Sequence, residues 1–180
     1  MAGYYPSGCD DPFSHSCDPC EPREYGRVRS AGFIHKDFTF TDPTSTTEWQ
    51  AGIQSGAIIV IPETNGDIAK GAAKMGAGYG ETTQTLLGYD FSAKVNDPNF
   101  ASNFDFYNSM IGKRDYKFFY RTSTKVFITD VTVTIIPNTE VKNDLNAELV
   151  WELDIKWIHS SFPKPHEMPQ SIFDTCFTAA

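Results

Sequence analysis

The sequence predicts a mainly β fold: an antiparallel β-sandwich or open barrel with one or two short flanking helices and extended N- and C-terminal arms. Three observations carry this. Over residues 147–158, Leu149, Trp151, Leu153, Ile155 and Trp157 share one face at period 2. Glu148, Glu152, Asp154 and Lys156 share the other, with Val150 the apolar exception. A strand with one face in a core and one in water has this pattern. A second clean alternation runs through Leu87, Tyr89, Phe91, Ala93 and Val95. Finally, 40% hydrophobic and 14% aromatic residues in a chain of 180 suffice for one domain with its own core.

Along the chain, residues 1–26 carry Pro6, Pro12, Pro19 and Pro22 without periodicity and read as an arm. Residues 27–160 read as the sandwich domain. Its first strand-like stretch spans 27–41, with Val28, Ile34, Phe38 and Phe40. A short helix follows, with Ser45 and Glu48 in capping-box spacing and Trp49 and Ile53 on one face; it stops near Gly56. Ala57–Ile61 is a β-branched run ended by Pro62 and turned by Asn65-Gly66. Residues 66–81 hold Gly66, Gly71, Gly76, Gly78 and Gly80 and few large apolar side chains, so they read as a mobile loop that orders on assembly. After the strand over 87–95, Asp97-Pro98 is expected to cap a helix bearing Phe100, Phe104, Tyr107 and Ile111, closed by Gly112. Strands follow at 116–121, 125–129 and 131–136, then the tryptophan strand. Residues 161–180, with Pro163, Pro165 and Pro169, read as a C-terminal tail. The tally is seven or eight strands and two helices.

The net charge is −8, which argues against a surface built to grip nucleic acid but lets a polyanion pass without sticking. No apolar run approaches the roughly 18 residues of a membrane helix. The first residues lack the basic start and apolar middle of a secretory signal, so a cytoplasmic origin is expected.

Chemistry-bearing residues are sparse. Cys9, Cys17 and Cys20 crowd the arm, and Cys176 lies near the other end. Cys17-Asp-Pro-Cys20 has the spacing of a metal knuckle. With Cys176, or alternatively His15, as fourth ligand it would make a closed structural zinc site; disulfides or free thiols are the other readings. Such a clip would let the arm present Tyr4, Tyr5 and Phe13 to a neighbouring subunit, and Gly76, Gly78 and Gly80 are the assembly candidates of the glycine-rich loop. His35, His159 and His166 lack a nucleophilic partner at a recognisable spacing. Gly76-Ala-Gly-Tyr-Gly80 lacks the Gly-Lys-Ser/Thr sequel of a phosphate loop. Asp37, Asp42, Glu48, Asp90, Asp97 and Asp105 fall at caps and turns, where solvation accounts for them. No catalytic residue and no enzyme activity is expected.

As a set, the cysteine arm with Glu24-Tyr-Gly-Arg-Val-Arg29, Glu48-Trp-Gln-Ala-Gly-Ile53 and Ile59-Val-Ile-Pro62 resembles structural proteins of tailed bacteriophages, including the crAss-like phages of Bacteroidetes. Leu86-Leu-Gly-Tyr89, Phe106-Tyr-Asn108, Tyr120-Arg-Thr122, Val150-Trp-Glu152 and Lys156-Trp157 belong to the same resemblance. It covers nearly the whole chain and contains no catalytic signature. It implies a virion component assembled in a host cytoplasm, with homo-oligomer and other virion proteins as partners and no membrane or specific nucleic-acid binding. A tail-tube or ring subunit fits a sandwich with a flanking helix, a long arm and an acidic balance. A capsid decoration protein, a head fibre or a head-tail connector is the alternative. A secreted carbohydrate-binding sandwich is a third class.

Overall fold

The computed structural model describes residues 26–77, 84–141, 144 and 148–173. Among these, the strands are β1 Ser30–His35, β2 Ile58–Ile61, β3 Gly66–Ile68, β4 Ala72–Gly76, β5 Thr85–Asp97, β6 Tyr116–Arg121, β7 Lys125–Thr132, β8 Thr134–Asn138, β9 Trp151–His159 and β10 Lys164–Glu167. The helices are α1 Thr46–Gln54, α2 Phe104–Met110 and α3 Gln170–Phe173. One antiparallel sheet has the order β10-β7-β6-β1-β2 and the other the order β3-β5-β9-β8, with β4 also paired to β5. The fold is thus the expected mainly β sandwich with short flanking helices.

Alternation explains the second sheet. Phe91, Ala93 and Val95 of β5 and Trp151, Leu153, Ile155 and Trp157 of β9 are buried, while Glu152, Lys156 and Ile158 face out. The two strands pair from Tyr89↔His159 to Asp97↔Trp151, which sets Phe91 beside Trp157 as a stacked pair 5.2 Å apart. Leu149 lies before the strand and is exposed, so the buried face begins at Trp151.

The first sheet is apolar on both faces. Ala31, Phe33 and Phe118 pack against the second sheet, whereas Ile34, Phe119 and Val126 pack the opposite way. Covering that far face are Trp49 of α1, Phe38 and Phe40 from the chain after β1, and Ile172 and Phe173 of α3. The result is three layers, helices on sheet on sheet. The stretch from 161 onward therefore contributes a strand and a helix up to Phe173.

Local signals decide where elements begin. The Ser45 hydroxyl accepts the Glu48 N–H at 3.4 Å, capping α1. The Glu48 carboxylate turns back to the N–H groups of Thr41 at 2.8 Å and Asp42 at 3.2 Å, a wider version of the expected box. Gly56, at φ +74°, ends the helix.

Two further expectations are corrected. Residues 66–76 are not a loop: β3 and β4 pair along one side of β5, because small residues suit an edge where large side chains are not needed. Asp97 is not a helix cap, nor is it solvated. It ends β5, is 1% exposed, and α2 starts later with Asn103 at its N-cap. One Asp97 oxygen accepts the Asn99 N–H at 2.9 Å. The other accepts Asn103 Nδ2 and the Tyr107 hydroxyl, each at 2.7 Å. Buried carboxylates persist when donors replace their water, and here the donors tie α2 to the sheet.

Candidate functional site

The feature that the core does not explain is the far end of β5. β9 covers β5 only from Tyr89 onward and β3 only from Ala93 to Val95. β4 pairs from Thr85 to Asp90. Thr85–Leu87 and their β4 partners therefore form a two-stranded ribbon that runs about 10 Å past the end of β9 at the usual rise per residue. Such ribbons are marginally stable in water without a partner.

The ribbon is also apolar where it should be wet. Met75 is 49% exposed, Leu86 45% and Leu87 67%. A register shift lies between Lys74↔Gly88 and Met75↔Leu86, making Leu87 the extra residue of a β-bulge. Gly88 at φ +148° permits this turn of the backbone, and a Cβ there would sit 3.2 Å from the His159 carbonyl oxygen. Leu87 lies over Gly76, where a Cβ would meet its side chain at 2.9 Å. Gly76 thus gives Leu87 its seat on the ribbon.

Edge chemistry sets this strand apart. β8 carries Pro137, β10 carries Pro165, and β2 runs directly into Pro62. Proline removes a donor and blunts a sheet edge against further pairing. The β3–β4 edge, Gly66–Gly76, holds no proline. A proline-free edge, though one that carries Lys70 and Lys74, and exposed apolar side chains meet on the β4–β5 ribbon, a combination expected of a contact surface.

Of the residues singled out by sequence, Gly76 lies in β4. Tyr4, Tyr5, Cys9, Phe13, His15, Cys17, Cys20, Gly78, Gly80 and Cys176 fall outside the described residues. Among the described residues, no group of three His, Cys, Asp or Glu side chains is placed to hold a metal. His159 Nδ1 approaches the Ser161 hydroxyl at 2.9 Å, but the same nitrogen accepts the Ser161 N–H at 3.1 Å. The pair closes the turn after β9. His35 lies 3.4 Å from Asp37 and edge-on to Tyr116. His166 is depressed below its ordinary pKa, first by burial and then by Lys164. Lys36 and Asp115 form a 2.7 Å surface pair, which raises the lysine and lowers the carboxylate.

The sequence did not single out Met75, Leu86 or Leu87 as contact residues. Leu87 continues the parity of the buried residues Phe91, Ala93 and Val95, and only the register shows that the sheet ends before it. No helix among the described residues is long and apolar enough to cross a membrane. No family model, curated protein or solved structure matches the chain.

Proposed function

We propose that this chain is a self-assembling structural subunit of a tailed-phage virion, of the tail-tube or ring type, built in the host cytoplasm. The observation that carries the reading is the projecting β4–β5 ribbon, which bares Met75, Leu86 and Leu87 beside a proline-free edge. A partner strand added to that edge would satisfy its backbone groups and cover its side chains together. A second copy is the simplest partner, since identical subunits carry both halves of a repeating contact. The sequence resemblance to phage structural proteins supplies the setting. The net charge of −8 suits a wall that a genome passes without adhering.

Negative-stain imaging and mass photometry of the purified full chain test the reading. Rings or tubes of uniform diameter are the expected result. A particle of 20.1 kDa at all concentrations would contradict it. A chain that stays monomeric alone and binds only to preformed shells would identify a decoration protein instead.

A further inference from the structure

The surface clefts differ in charge. One of about 590 Å³ is lined by Arg27 and Arg29 together with Glu63 and Glu148. Another, of about 400 Å³, sets Arg27 and Lys94 with Asp67 and Glu152. Each is balanced. A cleft of about 750 Å³ is not: Lys70, Arg114 and Lys156 line it with the single carboxylate of Asp90. That carboxylate already pairs with Lys74 at 3.1 Å. Among the described residues, no carboxylate stands within ion-pair distance of the other three cations.

The register places this cleft on the outward side of the second sheet. Ser92, Lys156 and Thr134 form one cross-strand row, and Asp90 and Ile158 form the next. Lys70 comes from the β3–β4 connection and Arg114 from the α2–β6 connection. Ile158, 57% exposed, gives the floor an apolar spot. In a chain of net charge −8, three uncompensated cations around a partly apolar trough are a local inversion of sign.

We infer that this cleft receives the acidic N-terminal segment, residues 10–24, of a neighbouring copy. Such docking rests on the self-assembly reading and adds a second contact to that of the ribbon. The segment holds Asp10, Asp11, Asp18, Glu21 and Glu24 against Arg23 alone, with Phe13 as an apolar anchor. Its charge is opposite to the cleft's, and Phe13 matches the apolar floor beside Ile158. Pro12, Pro19 and Pro22 reduce the backbone entropy that docking costs. Complementary charge of this kind fixes which segment docks and in which register more than it adds raw affinity.

The test uses the full chain, mixed from equal parts of ¹⁵N-labelled and unlabelled protein, assembled and treated with a zero-length carbodiimide cross-linker. Bonds joining Lys70 or Lys156 to Asp10, Asp11, Asp18 or Glu21 are expected, with mixed isotope composition showing that they run between copies. Lys70→Glu/Arg114→Glu/Lys156→Glu changes exposed side chains only and should raise the concentration needed for assembly about 10-fold or more. Adding Asp10→Lys/Asp11→Lys/Asp18→Lys to that variant should restore assembly to within about threefold of wild type. Cross-links confined to one isotope, cross-links from these lysines to other carboxylates, or assembly indifferent to charge reversal would overturn the inference while leaving self-assembly standing. A chain that never assembles would remove both.

Discussion

Tyr107→Phe isolates what the buried carboxylate contributes. The phenol is 1% exposed and its hydroxyl donates to Asp97 at 2.7 Å. Phenylalanine keeps the ring contacts with Phe106 at 5.1 Å and Trp151 at 5.3 Å, so little packing is lost. What disappears is one of three donors to a carboxylate buried away from solvent. Hydrogen bonds to charged groups contribute about 1.5–3 kcal/mol, and for a domain of this size a loss near 2 kcal/mol lowers the melting temperature by about 4–8 °C. The same residue controls the alkaline limb. Burial first, and then the bond to Asp97, hold its proton well above the ordinary value near 10. The folded state keeps a proton that the unfolded chain releases, so this stabilisation is complete below about pH 10 and is lost as pH rises beyond it. Burial pushes Tyr120 up to about 12 as well, and that contribution survives in the variant. Urea unfolding at pH 7 and at steps from pH 9 to 12 should show a less stable variant with a shallower alkaline limb. A variant within about 0.5 kcal/mol of wild type at pH 7, with an unchanged limb, would refute the assignment.

Other perturbations test separate parts of the molecule. Trp157→Ala, which removes a 5% exposed ring stacked on Phe91, should cost about 3–5 kcal/mol in chemical denaturation. Ile158→Ser, one residue on but facing out, should stay within about 0.5 kcal/mol; equal losses would mean that the register of β9 is wrong. Gly88→Ala forces a side chain onto φ +148° and should destabilise the fold by more than about 1 kcal/mol, read by thermal unfolding. For the cysteines, elemental analysis of the full chain should find about one equivalent of zinc, lost in Cys20→Ser. Less than about one-tenth of an equivalent would leave disulfides or free thiols.

The sequence was most legible where one physical demand dominates. Trp151 to Trp157 declared the central strand because a strand buried on one face demands apolar side chains at every second position. Trp49 and Ser45 declared α1 because a cap and a buried face coincide. Legibility failed where two demands compete. Ser30–His35 is buried on both faces, so it shows no alternation, and its second layer comes from Phe173, far away in the chain. Asp97 carries the local signature of a cap, and only the fold brings Tyr107 and Asn103 onto it. β3 and β4 hold Gly66, Ala72, Ala73 and Gly76 and bury no side chain fully, and composition alone does not separate such an edge from a loop. The ribbon is hidden in the sequence for a related reason: Leu87 keeps the parity of a core residue after the core has ended.

Mass photometry and negative-stain imaging of the full chain beside Met75→Ser/Leu86→Ser/Leu87→Ser put the assembly reading at risk. All three side chains are 45% exposed or more, so the variant should unfold like wild type in urea. Wild type is expected to form closed rings or tubes of one diameter and the folded variant to remain at 20.1 kDa. Wild-type chains that stay monomeric, or a variant that assembles as wild type does, would show that the ribbon is not the contact between subunits.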